Sequence, residues 1–420
     1  MRREIQYNSS MLLRNVFFTL VAIAIGFSAI ACNAGSWLAP AATDQPEYSD
    51  LEARYYVALP GLTVESALDK SFQSTFDQYL SDHIPQRDRA VFFNAGLQRA
   101  SIALSAASCG FDVYPTFFDS RYYVVPRDGL IVDRAEEAPA ENGGSSLDAW
   151  IGTLNKAARD HPDIRFVYDC VARHDQTEAN PTYRYYQNRL NPQWARENIL
   201  DRLDKRIAAF VDAVESYEEI VNEWIATEEH WKLKRALKSY NKIAEVLSLK
   251  KYAYENPVTV VDSWYGDYSR NGLDLDISVD LEDIPLDFSQ LAFYELGDAD
   301  GTPFAMGLRD DVLAGKTAIA PGGVTKYYEY FGGGNAEVLN DGENNGKTAL
   351  VVCDSLSYCL ERFIASNYRH TVFLLPGNTR KDGSLEDFIA TYDPDDVIIL
   401  MHVTKYEMVA SYSPTFIGLE

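Results

Sequence analysis

The sequence predicts an α/β fold, a parallel sheet flanked by helices, on three observations. First, short apolar runs recur along the chain at Arg165–Val171, Val258–Asp262, Thr348–Val352, Thr371–Leu375 and Asp396–Met401. Short, mainly apolar runs separated by helical stretches belong to strands buried on both faces, which is the situation of a parallel sheet. Second, amphipathic stretches such as Trp231–Leu247 and Leu356–Ser366 lie between several of them, as crossover helices require. Third, 420 residues exceed one minimal core and suggest two or three structural units.

From the N-terminus, Arg2, Arg3 and Arg14 precede an apolar run from Val16 to Cys32. Basic residues before the run and acidic sequence after it place the remainder outside the cytoplasm. The run has three readings: a retained anchor at the short limit for a bilayer, a signal peptide cleaved near Ala29-Ile30-Ala31, or lipidation at Cys32. A polar linker, Ala39–Asp50, leads to a helical pattern carrying Phe72, Phe76, Tyr79 and Leu80, which Pro85 ends. A second helical stretch covers Ala90–Ala107. Tyr122–Val132 then reads as a hairpin, two β-rich runs around a Pro-Arg-Asp-Gly turn. Residues 265–340 break the strand–helix rhythm with many Asp, Gly and Tyr, and read as a β-rich insertion beside the sheet. The expected organisation is therefore a signal peptide or membrane anchor over residues 1–40, a linker and N-terminal helices over 41–115, and an α/β domain over 116–420.

Composition excludes some functions. Thirty-eight Lys and Arg against 62 Asp and Glu give a formal charge of −24. That argues against a nucleic-acid partner, which needs a basic face, and against a polyanionic substrate unless the cleft is locally basic. Lys232, Lys234, Arg235 and Lys238 are the candidates for such a patch, but they read first as a solvated helix face. The six histidines are isolated, with no zinc-ligand spacing. Asp298-Ala-Asp300-Gly301 lacks the remaining ligands of a calcium loop and reads as a turn. Neither a metal nor a cofactor is expected. Cys353 and Cys359 read as small buried apolar residues.

Two segments carry chemistry. In Val351-Val-Cys-Asp-Ser355 a strand runs into a predicted helix, setting Ser355 at the carboxyl end of a parallel strand, where α/β sheets place their ligands. There Ser355 is a candidate nucleophile, with the helix N-terminus as a candidate oxyanion site; the plainer alternative is that Asp354 or Ser355 only caps the helix. In Thr227-Glu-Glu-His-Trp231 the imidazole of His230 is a candidate base, with Glu228 placed to orient it. The plainer alternative there is an acidic helix start.

Taken in order, these segments resemble the DHHW proteins, relatives of the alginate O-acetylation proteins in the SGNH-hydrolase superfamily. Phe76–Asp88 resembles the family's Y-x-x-D-H-F-P-x-R-D segment, and Val125-Pro-Arg-Asp-Gly-Leu-Ile131 its K-D-G-W/Y-L hairpin. Thr227–Trp231 occupies the place of T-D-H-H-W, Val351–Ser355 that of the I-K-D-S nucleophile turn, and Ser384–Leu400 that of the closing helix and strand. The resemblance implies an SGNH-hydrolase-like sheet, with Ser355 as nucleophile, His230 as general base and Glu228 as the orienting carboxylate. Glu228 departs from the family's Asp, Glu229 from its second His, and Lys234-Arg235-Ala236 from its usual Gly-Ala.

The implied function is an exported O-acetyltransferase or carbohydrate esterase acting on a cell-surface polysaccharide through an acyl-enzyme. A transferase of this kind implies a polytopic membrane O-acyltransferase that delivers acyl groups across the bilayer. Asn378 and the Tyr327–Tyr330 cluster are candidates for the cleft wall. The alternative is a non-catalytic exported glycan-binding or assembly protein with a degenerate triad. Either way the expected location is the extracytoplasmic face, membrane-bound or secreted.

Overall fold

The computed structural model describes residues 48–49, 54–84, 87–116, 119–139, 143–186, 189–272, 277–319, 327–342, 345–377 and 383–419. The apolar run Val16–Cys32 lies outside them. Among the described residues no helix is long and apolar enough to cross a membrane. The chain forms two compact units, residues 1–98 and residues 99–420.

In the first unit, strands β1 (Tyr48–Ser49) and β2 (Arg54–Tyr55) pair antiparallel. Helices Val64–Leu68 and Ser71–Asp82 follow. Phe72, Phe76 and Tyr79 stack in sequence along the second helix, as their spacing predicts.

The second unit begins within helix Arg87–Ser108. Strands β3 (Tyr114–Pro115), β4 (Tyr122–Val125) and β5 (Leu130–Asp133) make a small antiparallel sheet, and its β4–β5 hairpin is the expected one. The central sheet has seven strands. In chain order they are β6 (Arg165–Ala172), β7 (Ile207–Ala213), β10 (Leu291–Glu295), β11 (Ala336–Asn340), β12 (Thr348–Cys353), β13 (His370–Leu374) and β14 (Asp396–His402). Their spatial order is β10-β11-β13-β12-β14-β6-β7. The five strands from β13 to β7 are parallel, and β10 and β11 add an antiparallel edge.

Burial follows the period of two that a sheet covered on both sides demands. Val167 and Val171, Ala349, Val351 and Cys353, and Ile398 and Leu400 face one core, packed against helix Leu233–Leu247. Phe166, Tyr168 and Cys170, Leu350 and Val352, and Val397, Ile399 and Met401 face the other, packed against helix Gly144–Asp160. That helix presents Leu147, Trp150, Ile151, Leu154 and Ala158 to the sheet, one stripe at 3.6 spacing. The architecture is thus the α/β class expected from sequence: a large, mostly parallel sheet flanked by helices.

One expected strand lies elsewhere. Strand β8 (Val258–Trp264) pairs antiparallel with β9 (Val279–Asp283), with two register irregularities, in a ribbon separate from the central sheet. Val258 and Thr259 are exposed while Val261 and Trp264 are buried, a one-faced pattern that suits a ribbon and would waste a central position. Three strands of the central sheet are absent from the expected set. One is β7, whose Ile-Ala-Ala-Phe-Val-Asp-Ala is only part-apolar because it occupies the sheet's edge. The others are β10 and β11, which lie within residues 265–340 and join the sheet rather than standing beside it. Asp298–Gly301 is a turn, closed by the Gly301 N–H donating to the Asp298 carbonyl at 2.9 Å.

Candidate active site

The parallel strands end together, and the residues just past their carboxyl ends meet. Arg173 follows β6, Asp354 and Ser355 follow β12, and His402 ends β14 with Thr404 and Lys405 just beyond. Arg173, Ser355, Leu356, His402, Thr404 and Lys405 line one cavity of about 530 Å³ together with Glu229 and His230. This volume lies in the range of small-ligand sites, ~300–1,000 Å³. Ser355 and His230, 125 positions apart in sequence, therefore share a pocket at the carboxyl end of the sheet.

Ser355 opens a three-residue 3₁₀ turn, Ser355–Ser357, and the α-helix proper begins only at Glu361. The expected direct entry into a helix is thus replaced by a tight turn. Asp354 caps it, its Oδ1 accepting from the Leu356 N–H at 2.9 Å. As the first residue of the turn, Ser355 has an N–H with no acceptor inside it. So short a turn offers no substantial dipole, and oxyanion stabilisation here must come from individual N–H groups. The Ser355 hydroxyl makes no hydrogen bond among the described residues.

His230 is buried and held on three sides. Its Nδ1 is 2.8 Å from Glu228 Oε1, and its ring stacks on Tyr327 with centroids 4.3 Å apart and planes at 2°. Its carbonyl accepts from the Ile225 N–H at 3.1 Å. A carboxylate at Nδ1 fixes the neutral tautomer with its proton there, leaving Nε2 as the acceptor. Nε2 is buried with no protein partner among the described residues. Burial pulls the imidazole down, but the Glu228 hydrogen bond and the charges of Glu228, Glu229 and Asp354 outweigh it, so the imidazole is held above its usual 6.5.

Glu228 is itself fixed, because its Oε2 accepts from the Asp267 N–H at 2.9 Å. Glu229 pairs instead with Arg173 at 2.7 Å. Glu228, Glu229 and His230 offer ligand atoms within 4.8 Å of one another, yet Glu228 is committed to His230 and Asp267 and Glu229 to Arg173. The expected solvated face of the neighbouring helix is correct only in part. Arg235 turns inward, 6 % exposed, onto Asp212 and Glu223.

Of the proposed wall residues, Asn378 lies outside the described residues. Tyr327 backs the imidazole, and Tyr330 donates to Asp283 at 3.0 Å; neither is among the lining residues. Sequence reasoning missed His402, which lines the cavity with its Nδ1 2.7 Å from Asp354 Oδ2. The available signal was its place at the end of a predicted parallel strand, level with Ser355.

No protein-family model and no curated protein matches the sequence. Solved structures do. A DHHW family protein from Eubacterium siraeum superposes with a TM-score of 0.50 at 13 % identity, covering 71 % of this chain and 98 % of its own. This chain has the fold of a DHHW protein. Bacillus cereus PatB1 with a sulfonyl adduct also matches at a TM-score of 0.50 and 14 % identity, over 69 % of this chain and 97 % of PatB1. The O-acetyltransferase domain of Pseudomonas putida AlgJ is more distant, with a TM-score of 0.33 at 11 % identity, over 70 % of this chain and 96 % of that domain. The DHHW likeness agrees, in fold, with the resemblance read from the five sequence motifs.

Proposed function

We propose that this chain is an exported serine-dependent O-acyltransferase or esterase acting on a cell-surface glycan, with Ser355 as nucleophile, His230 as base and Glu228 as the orienting carboxylate. One observation carries the reading: an unbonded hydroxyl and an imidazole lacking a partner at Nε2 line the same cavity, and that imidazole is braced at Nδ1 by a buried carboxylate. Nucleophile, base and orienting group are the three parts acyl transfer needs. The Ser355 and His230 side chains are not hydrogen-bonded to each other, a common state of unliganded sites that tightens when substrate binds.

In the proposed reaction His230 Nε2 takes the Ser355 proton as Oγ attacks an acyl carbonyl. The Ser355 N–H donates to the developing oxyanion, and the donor's leaving group departs to give an acyl-enzyme. A sugar hydroxyl or water then takes the acyl group. PatB1 has been seen with a sulfonyl adduct, the kind of product a nucleophile gives with a sulfonylating reagent, which suits a Ser355 of the same reactivity here. The acyl donor would come from a polytopic membrane O-acyltransferase, and the N-terminal apolar segment would place the site on the extracytoplasmic face.

The test uses p-nitrophenyl acetate and a sulfonyl fluoride with wild type, Ser355→Ala and His230→Ala. Wild type should release p-nitrophenol above background and carry the sulfonyl mass on the Ser355 peptide, and both variants should lose at least ~10²-fold in rate. Equal rates in all three, with no label on Ser355, overturn the proposal.

A further inference from the structure

The cavity holds a second imidazole–carboxylate pair that the proposed triad does not use. His402 donates from its backbone N–H to Asp354 Oδ2 at 2.8 Å, and its Nδ1 meets the same oxygen at 2.7 Å. Asp354 Oδ1 takes the Leu356 N–H. One carboxylate, adjacent in sequence to the nucleophile, thus fixes both the turn that carries Ser355 and the ring of His402. Burial pushes the Asp354 carboxyl up, but the His402 hydrogen bond, the His402 and Lys405 charges and the backbone N–H together hold it well below the carboxylate range. A carboxylate at Nδ1 sets the tautomer, leaving Nε2 of His402 as an acceptor with no protein partner among the described residues. The His402 side chain keeps 13 % of its surface in solvent, against 8 % for His230.

We propose that His402 is the base for the acyl acceptor, the second acid–base residue of this site; the inference rests on the acyl-enzyme reading above. The chemistry needs such a group whenever the donor leaves as an anion. After acylation His230 then still carries the Ser355 proton and cannot accept another. In the second step the acceptor oxygen attacks the Ser355 ester carbonyl. The acceptor O–H bond breaks and its proton passes to His402 Nε2, while the new ester C–O bond forms. On collapse the carbonyl carbon–Oγ bond breaks, and Oγ takes the proton held on His230. His402 then loses its extra proton to water through its exposed edge. Both histidines end as they began; the acyl group has moved to the acceptor, and the donor's leaving group remains an anion, balanced by the proton released to water.

The experiment separates the two half-reactions. Wild type, His402→Gln and His402→Ala are mixed with p-nitrophenyl acetate; the first p-nitrophenol released reports acylation, and intact mass reports the acetyl group on Ser355. His402→Gln should acylate within about two-fold of wild type, accumulate acetyl-enzyme and turn over ~10²-fold more slowly. Added imidazole should restore deacylation in His402→Ala, which a merely structural role would not allow. Acylation and turnover falling in parallel, or neither changing, overturns the inference. Absence of Ser355-dependent p-nitrophenol release from wild type would instead overturn the acyl-enzyme reading itself.

Discussion

Trp231 donates from its indole Nε1 to the carbonyl oxygen of Leu356 at 2.9 Å. This bond joins the loop that carries His230 to the turn that carries Ser355. Both partners are buried, Trp231 completely, so the two segments keep one fixed separation. In Trp231→Phe much of the ring remains but the Leu356 carbonyl keeps only the weak Cys359 thiol donor at 3.9 Å, at a cost of about 1–3 kcal/mol. The expected outcome is a lower melting temperature and a loss of esterase activity of tenfold or more, larger than the loss in a control destabilised equally at a remote core position. Activity tracking stability alone would show that the bond only supports the fold.

Glu228→Gln tests the orienting carboxylate. It removes the partner that fixes the His230 tautomer, and kcat should fall by ~10²–10⁴-fold. The base must be neutral to accept a proton, so wild-type activity should rise with pH through an imidazole pKa above 6.5. Without the carboxylate, burial is opposed by less and the acidic limb should move to lower pH. Stability carries the same sign: a raised histidine stabilises below its unfolded value and loses that contribution as pH climbs through the folded one. The variant's stability deficit should therefore be larger at pH 5 than at pH 8, and pH–rate profiles with urea titrations check both.

The Glu228 loop is clasped by residues 266–268. The Gly266 N–H donates to Thr227 Oγ1 at 3.0 Å and the Tyr268 N–H to the Thr227 carbonyl at 3.0 Å. A Cβ on Gly266 would lie 2.2 Å from the Thr227 carbonyl oxygen and 2.9 Å from Glu228 Cβ. The first of these is backbone and cannot swing aside. Gly266→Ala should displace Glu228 and cost activity by at least tenfold. Gly152→Ala, in a helix with nothing within 4 Å of the new Cβ, should leave activity unchanged and stabilise by ~0.5–1 kcal/mol. Assaying the two side by side separates a local clash from a general intolerance of substitution.

Much of this was legible in sequence wherever burial was two-sided. β6, β12, β13 and β14 are interior strands of the central sheet, and their largely apolar runs announce it. β8 misled because a short Val-Thr-Val-Val run carries no mark of which sheet it joins, and β7 was missed because an edge position relaxes the demand for apolar residues. At the candidate site, Glu228, His230 and Ser355 were singled out through local order and motif spacing. The His402–Asp354 pair was not, because its partners are 48 positions apart and meet only through the parallel β12–β14 register. Arg235 misled for a related reason: a helix stripe shows which residues are apolar, and cannot show that an arginine on its margin finds Asp212 and Glu223 buried opposite it.

Glu361 offers a test of the packing beneath the nucleophile turn. Its side chain is fully buried at the start of helix Glu361–Ala365, with Oε1 receiving the Ser357 hydroxyl at 3.3 Å and Oε2 receiving nothing. Burial pushes the carboxyl from 4.5 up to about 8, against the Arg362 charge and hydrogen bonds from Ser357 and the Gly334 backbone. Between those values the folded protein holds a proton that the unfolded chain has released, so stability falls as pH rises from 4.5 to 8 and levels off above. Glutamine has the same shape and no charge to suppress. Glu361→Gln should match wild type near pH 4.5 and exceed it progressively toward pH 8, the gap growing by at most about 1.4 kcal/mol for each step of one in pH. Melting temperatures across that range decide it: a gap that stays flat, or that closes with rising pH, means the carboxyl is ionised in the fold and held by partners other than Ser357 and Arg362.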